Sequence, residues 1–413
     1  MGELITSVDI GTSKVCVIIA EIDKSKQIRI IGVGISPCYG VKKGIVVDIE
    51  DTSKAVSYAL EQAENMADIE VDNAYVNIAG GYTKFTKNKG VIAVSNENRE
   101  INSDDVKRVL NSATIISIPQ NQQIIDIIPL QYIIDGYDEI RDPIGMTGIR
   151  LEADVDIVTA SATTVLNIVK SVNGAGLEVL GIVAEPLATS ESVLTEDEKE
   201  LGVLLIDIGA GTTDVSLFKN GSLIYNFLVP IAGNHITNDI SIGFRIPYKE
   251  SEDIKRKYGL NFNPNVNKKR IIEVTPIGSD ERINITNAEL SEIIEARVNE
   301  IIEIIYKELF KRGFVKDILA GIVLTGGGIG YFPKGVDLTK KMFELPVRIG
   351  KPDYIGIQEP IYSTAAGLIN YSLKRKFNYY VEYNNVHNKK TSSKANYNKG
   401  LLSFLKKVWE EYF

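Results

Sequence analysis

Two stretches of this 413-residue chain place a carboxylate, a glycine and small hydroxyl residues directly after an apolar run. They are Asp9-Ile10-Gly11-Thr12-Ser13-Lys14 and Asp207-Ile208-Gly209-Ala210-Gly211-Thr212-Thr213-Asp214. A chain that leaves a strand through such a turn points backbone N–H groups at an anion, and glycine lets the backbone approach phosphate oxygens. The hydroxyls of Thr12, Ser13, Thr212 and Thr213 add donors, and Lys14 adds a cation. Asp9 and Asp207, facing each other across a cleft, would suit a hydrated Mg2+, held mainly through its waters. A third turn, Gly326-Gly327-Gly328, closes the apolar run "AGIVL" and could clamp the far side of a nucleotide. The chain has no GxxxxGK[ST], so this is not a Walker-type loop. One Asp-x-Gly turn alone is ordinary β-turn chemistry. Two matched copies and a triple glycine, each directly after a strand-like run, argue for a phosphate site.

The elements that must position these turns repeat too. "ELITSVDIGTSKVCVIIAEIDKSKQIRIIGVGI" (3–35) and "GVLLIDIGAGTTDVSLFKNGSLIYNFLVPI" (202–231) share one plan. Each reads as strand, Asp-Ile-Gly, strand, tight turn, strand. In the second copy the turn is Asn220-Gly221, a hairpin signal because both positions tolerate positive φ. Two such units about 200 residues apart predict duplicated α/β halves around a shared cleft. A helix follows in each half, at 51–67 and at 287–313. In the latter Leu290, Ile293, Ile294, Ile301, Ile305 and Leu309 recur near a helical period, and Gly313 is a stop signal. Residues 83–159 mix strand-like runs with one helix, "NSDDVKRVLNSAT", capped by Asn102 or Ser103. Residues 232–303 are helical and polar, with a hairpin-like "RIIEVTPIGSDERINIT". Both segments read as insertions into the duplicated core.

At 45.5 kDa the chain is too long for one core and should divide into at least two domains. Its formal charge of −8 is uneven. Residues 374–413 hold nine Lys/Arg against three Glu, so the remaining 373 carry −8 − 6 = −14. An acidic body argues against nucleic-acid binding, and a basic tail suits an acidic surface. No apolar run approaches a membrane span, and the start "MGELITSVDI" has no cationic leader. A cytoplasmic protein is expected. Cys16 and Cys38 have no metal-ligand spacing and read as buried free thiols, while two histidines argue against a His-based site.

Residues 384–399 have no acidic side chain, many Asn, Ser and Lys and almost no aliphatics, which is linker composition. The segment "GLLSFLKKVWEEYF" follows. On a helix at about 100° per residue, Leu401, Leu402, Phe404, Leu405, Val408, Trp409, Tyr412 and Phe413 fill one half. Ser403, Lys406, Lys407, Glu410 and Glu411 fill the other. A docked core helix could look the same, but a packed helix rarely needs so long a polar lead. A helix of about 21 Å is marginal alone in water and should fold where it binds. Aromatics on its apolar face, with Lys406 and Lys407 at the border, suit an anionic membrane interface.

The two turns, with "VAEPLATS" (183–190), "LTGGGIG" and "STAAGL" (363–368), resemble the nucleotide-site segments of the actin, sugar-kinase and heat-shock-chaperone superfamily. Within it the chain is similar, over nearly its full length, to the bacterial cell-division family FtsA. The segments "NREINSDDVKRVL", "IIPLQYIIDG" and "IRDPIGMTGIRLEADV" carry that likeness. They resemble the extra subdomain that FtsA has where actin has a different one. The fold implied is α/β and actin-like (ribonuclease-H-like, duplicated), with a nucleotide cleft between two halves and an FtsA-type inserted subdomain. The expected division is a first-half core of 1–82, 160–198 and 360–383, with the insertion at 83–159. A second-half core of 199–231 and 304–359 carries an upper subdomain at 232–303. A linker at 384–399 and a membrane-targeting helix at 400–413 complete it.

The resemblance implies ATP and Mg2+ at the turns, with Asp9, Gly11, Thr12, Ser13 and Lys14 in the first phosphate segment. Asp207, Gly209, Gly211, Thr212 and Thr213 form the second. It places Glu185 near the attacking water, with Asp207 as the other catalytic carboxylate; a plain helix-start carboxylate is the alternative for Glu185. It puts Glu252 and Lys255 on ribose and adenine, where a solvated (i, i+3) pair is the alternative. Where the family often has Gly-Gly, this chain has Ala232-Gly233. Asp126 stands where a His is frequent and receives no role. FtsZ is the implied partner, met on 232–303 with Arg297 contributing; an internal pair with Glu300 is the alternative. Filament formation with its own copies, contacts with other division proteins and slow ATP turnover complete the implied picture. So does a peripheral position on the inner face of the cell membrane at the division site. A small-molecule kinase or a pilus-assembly ATPase-like protein are the alternatives, and neither accounts for the tail.

Overall fold

From Val15 to Ala20 apolar residues run unbroken instead of alternating, which is what a strand covered on both faces requires. The computed structural model describes residues 2–25, 27–259, 271–328 and 333–375. The chain opens with β1 (Glu3–Ile10), β2 (Lys14–Ile22), β3 (Ile28–Pro37), the short pair β4 (Val41–Lys42) and β5 (Ile45–Val46), and α1 (Ile49–Ala67). After β6 (Asn73–Ile78) come β7 (Thr83–Ala93), α2 (Ser103–Ala113), β8 (Gln122–Ile134), β9 (Tyr137–Ile140) and β10 (Arg150–Ser161). The chain then returns through α3 (Ala162–Gly174), β11 (Glu178–Ala184), α4 (Glu185–Val193) and α5 (Glu196–Leu201). The second half contains β12 (Val203–Ile208), β13 (Thr213–Lys219), β14 (Ser222–Val229), α6 (Gly233–Phe244) and α7 (Tyr248–Ile254). It continues with β15 (Ile271–Val274), β16 (Ile283–Thr286) and α8 (Asn287–Arg312). It closes with β17 (Gly321–Thr325), α9 (Pro333–Phe343), β18 (Val347–Ile349) and α10 (Ser363–Lys374).

Two five-stranded sheets have the same construction. One runs β11-β6-β1-β2-β3 and the other β18-β17-β12-β13-β14. In each, an antiparallel meander of three strands gains two parallel strands beside its first member. The β13–β14 turn uses Asn220 at φ 53° and Gly221 at φ 71°. On one face of the first sheet Val8, Val17 and Val76 pack with Val56 and Ala59 of α1. On the other, Ile5 and Ile18 pack with Ala365 and Ile369 of α10. In the second half Ile294, Val298, Ile301 and Ile305 line the buried stripe of α8. That helix starts on a Thr286–Glu289 capping box and stops at Gly313, whose φ is 74°. Residue types at both ends therefore fix its length.

The segment between β6 and α3 makes its own sheet, β7-β10-β8-β9, with a separate core of Val109, Leu110, Leu151 and Ile157 under α2. Asn102 caps α2 and receives the N–H groups of Asp104 and Asp105. β15 and β16 form the hairpin before α8. Cys16 and Cys38 are buried free thiols. No helix among the described residues is long and apolar enough to cross a membrane. The expected linker at 384–399 and helix at 400–413 lie outside the described residues.

Asp126, to which the sequence assigns no role, ties the inserted sheet to α10. Its carboxylate accepts from the Tyr371 hydroxyl at 2.6 Å and from the Arg375 guanidinium, which also donates to the Ile127 carbonyl. All three side chains are buried or nearly so, so this pair cannot lean on solvent. Asp126→Ala leaves the Arg375 charge unpaired and should cost about 3 kcal/mol. Tyr371→Phe removes one hydrogen bond and should cost about 1 kcal/mol. Urea unfolding of both variants checks the order.

Candidate functional site

The two Asp-x-Gly turns have the same hydrogen-bonded geometry. In the first, Asp9 lies opposite Cys16 and the Gly11 N–H donates to the Lys14 carbonyl at 2.9 Å. In the second, Asp207 lies opposite Asp214 and the Gly209 N–H donates to the Thr212 carbonyl at 3.0 Å. The turns also touch. A Cβ at Gly211 would lie 2.6 Å from Thr12 Cγ2, so only glycine allows this approach of the two halves. Asn77 of β6 steadies the first aspartate, donating to Asp9 Oδ1 at 3.0 Å while accepting from the Ile10 N–H at 2.7 Å. Lys14 reaches Asp9 Oδ2 at 3.4 Å and donates to the Ile361 carbonyl at 2.7 Å.

The triple glycine folds directly over the second turn. Gly326 has φ 94°, and a Cβ there would sit 2.3 Å from Asp207 Oδ1. The Gly328 N–H donates to the Ile208 carbonyl at 2.7 Å. From the other side α6 arrives with its N-terminus over the same turn, Gly233 N–H donating to the Gly209 carbonyl at 3.1 Å. Ala232 is buried behind it, so the extra methyl faces the core and leaves Gly233 at the surface of the cleft. Lys255 is buried and donates to Glu252 Oε2 at 2.6 Å, Thr237 Oγ1 at 2.8 Å and the Gly233 carbonyl at 3.0 Å.

These pieces enclose one cleft of about 500 Å³. The lining brings together Asp9, Gly11, Thr12, Ser13, Lys14, Glu185, Asp207, Gly209, Thr212, Gly233, Glu252 and Lys255 with Gly326, Gly327 and Gly328. Gly211 and Thr213 are not in it. Gly211 packs on Thr12, and the buried Thr213 hydroxyl donates to the Ile231 carbonyl. The lining also includes Thr364 of the "STAAGL" segment, and Tyr39, Asn234, Tyr248 and Arg256, which no local pattern marked. Arg297 lies away from the cleft. It grips Asp239 of α6 with two hydrogen bonds, 2.7 and 2.9 Å long, and also pairs with Glu300.

Charge in the cleft is unbalanced. Asp9, Asp207 and Asp214 are buried, and Glu185 is half-buried at the start of α4. Burial, then Asp214 and Asp9, push the Asp207 carboxyl up to about 7. Burial raises Asp214 to about 6, although the Gly81 and Gly80 N–H groups pull it back. Glu185 is held well above the ordinary range by burial and by Asp214, Asp207 and Asp9. Burial pulls Lys14 down, but Asp9 and its other neighbours outweigh that and raise it. Among the described residues, no group of three or more His, Cys, Asp or Glu could hold a metal ion directly. Asp9 and Asp207 fit a cation bound through water better than one in a closed cage.

Solved structures with this architecture include the PilM-PilN type IV pilus biogenesis complex, with a TM-score of 0.61 at 14% identity over 90% of this chain and 99% of that one. MreB5 of Spiroplasma citri bound to AMPPNP gives 0.56 at 16%, over 94% and 99%. The chain thus has the actin-like fold, two matched halves around a cleft. A family model described as cell division protein FtsA matches residues 204–367, and one described as the SHS2 domain inserted in FtsA matches 80–159. The cell division protein FtsA of Bacillus subtilis is 42% identical over 373 residues, 90% of this chain and 84% of that protein. FtsA of Borreliella burgdorferi is 37% identical over 410 residues, 98% and 97% of the two chains. The chain belongs to the FtsA family of cell division proteins.

The carboxylate cluster makes a pH prediction for protein free of nucleotide and divalent ions. Asp207 holds its proton more tightly folded than unfolded, where its pKa is about 3.9. Stability relative to a neutral side chain therefore falls as pH rises from about 4, and the loss is complete above about 7. Asp207→Asn should gain on the order of 2 kcal/mol over wild type at pH 8 and much less at pH 5. Thermal melts in EDTA at both pH values measure it, and an equal gain at both would contradict the reading.

Proposed function

We propose that the cleft binds ATP with Mg2+ and that the bound nucleotide controls assembly of this division protein into filaments under the membrane. The observation that carries the reading is the pair of matched turns, Gly11–Lys14 and Gly209–Thr212, facing one cleft with acidic side chains in need of a cation. Backbone N–H groups of both turns would take the phosphates, with Lys14 and the hydroxyls of Thr12, Ser13 and Thr212 beside them. Asp9 and Asp207 would hold Mg2+ through its waters. Glu252 and Lys255 would lie toward ribose and base. Nucleotide-bound MreB5 supports this only as a likeness of fold.

For hydrolysis, Glu185 is the residue placed to orient water, at the first position of α4 beside the cluster. A carboxyl held above its ordinary range accepts a proton from water readily only when a cation neutralises its neighbours. Turnover should accordingly be slow. The division into two core halves, an insertion at 83–159 and an upper subdomain at 232–303 is part of the same proposal. FtsZ contact belongs on 232–303. Arg297 would take part only by exchanging Asp239 for a carboxylate of the partner, which makes it a costly contact. Attachment to the membrane falls to residues 400–413, outside the described residues, through Leu401, Leu402, Phe404, Leu405, Val408, Trp409, Tyr412 and Phe413, with Lys406 and Lys407 on the anionic headgroups.

Gly209→Val should abolish binding of a fluorescent ATP analogue by blocking the backbone at the phosphates, and Asp207→Ala should weaken it at least tenfold. Wild-type affinity in both variants would remove the nucleotide from this cleft. Glu185→Gln should keep affinity while slowing hydrolysis, read by phosphate release. For the tail, one shallow helix gives weak, reversible attachment, and filaments multiply it. Trp409→Glu should release the protein from anionic liposomes in sedimentation while analogue binding stays intact. Undiminished sedimentation would rule out the helix as anchor.

A further inference from the structure

Asp9 and Asp207 stand at equivalent places in the two halves, but they are held differently. Asn77 braces Asp9 through its side-chain amide. Asp207 instead receives a side-chain hydrogen bond from Thr189, which works against the upward push of burial. Thr189 lies four residues after Glu185 on α4, so both face the carboxylate cluster. Its neighbour is Thr364 in the first turn of α10, and the two hydroxyl oxygens are 2.9 Å apart. Both threonines are buried, and Thr364 reaches the lining of the cleft. Close backbone contact makes the pairing possible. A Cβ at Gly367 of α10 would lie 1.8 Å from the Ala188 carbonyl oxygen of α4, so only glycine permits the crossing. Ser192, further along α4, donates to the Ser363 carbonyl at 2.6 Å and locks the same crossing.

With Asp207 ionised, the hydroxyl hydrogens of this pair have one consistent arrangement. A carboxylate can only accept, so Thr189 must give it its single hydrogen. The 2.9 Å contact then takes the hydrogen of Thr364. Thr364 is left with lone pairs, and no hydrogen, to offer the cleft. Such an oxygen repels a phosphate oxygen and accepts from a water.

We propose that Thr189 and Thr364 form a hydroxyl relay that orients Asp207 and presents an acceptor to the water shell of the divalent cation. The inference rests on the reading of this cleft as a site for ATP with Mg2+. A hydrated cation turns its water hydrogens outward and needs acceptors around it, which Asp9, Asp207 and Thr364 supply. Both threonines are positioning residues, Thr189 through Asp207 and Thr364 through Thr189 and the cation's waters. Groups that orient the surroundings of a metal are typically worth about ten- to a hundredfold in its affinity. The relay runs from two helices packed on the first sheet to a strand of the second. Cation binding through it therefore draws the halves together.

Titrating Mg2+ against a fluorescent ATP analogue tests this in the full chain. Thr189→Val and Thr364→Val each remove one hydroxyl at nearly constant volume. The half-saturating Mg2+ concentration should rise about tenfold in each. At saturating Mg2+ the analogue affinity should return to that of wild type. Thr189→Ser keeps the hydroxyl and should restore the wild-type Mg2+ midpoint. In the double Val variant the shift should be no larger than in either single one, because a relay is broken only once. Should Thr189→Val fail to fold, Thr364→Val set against Thr364→Ser decides the question alone. An unchanged Mg2+ midpoint would overturn the relay and leave the ATP site in place. So would additive shifts in the double variant, or a loss of analogue affinity that saturating Mg2+ does not restore. Failure of the wild-type chain to bind the analogue at any Mg2+ concentration would overturn the ATP reading, and the relay with it.

Discussion

Negative charge gathered at one point is the constraint on which the rest of the structure depends. Burial with Asp214, Asp207 and Asp9 raises the Glu185 carboxyl, burial with Asp214 and Asp9 raises Asp207, and Lys14 is the ammonium the cluster faces. Left unneutralised, such a cluster opposes folding. The fold holds it together with rigid parts: Asn77 braced on β1, Lys14 tied to the Ile361 carbonyl, and the triple glycine laid across Asp207. Each brace comes from a different element, so the two halves must be assembled before the charges meet. A divalent cation with a polyanion would turn the cluster from a cost into the contact that holds the halves closed.

The remaining architecture can be understood as support for that meeting. Both sheets carry the same meander, which sets both turns at the same height over their strands. The Gly211–Thr12 contact then fixes how closely the halves approach. The inserted sheet has its own core, and its buried link to the rest includes Asp126, Tyr371 and Arg375. That clamp sits one residue from the end of α10, where the chain continues toward its C-terminal segment. An event on the inserted sheet and a pull on the tail would therefore act on the same buried ion pair.

How much of this is legible in the sequence depends on the range of the interactions. The two turns, the Asn220-Gly221 hairpin, the Asn102 cap and the Gly313 stop are written in a few adjacent residues, and sequence alone locates them. The repeated meander follows from the repeated text. Asp126 is opaque because its partners lie 245 and 249 positions further along. Asp214 carries no local mark because its importance comes from charges brought in by other strands. Helical spacing gives Arg297 a local partner in Glu300, and that pair exists. The geometry adds a bidentate grip on Asp239, 58 residues away, which helical spacing could not reveal. Thr213 reads as a phosphate hydroxyl because it follows Thr212, but strand alternation turns it to the opposite face. The family is carried by long patterns, in the inserted segment over 80–159 and in the second half over 204–367.

The central claim is that one ligand is held by both turns at once. Hydrogen exchange of the full chain with and without MgATP tests it most directly. The account predicts simultaneous protection of the amides in Gly11–Lys14 and in Gly209–Thr212, both lost when EDTA removes the cation. Protection confined to one turn, or protection that survives EDTA undiminished, would contradict it.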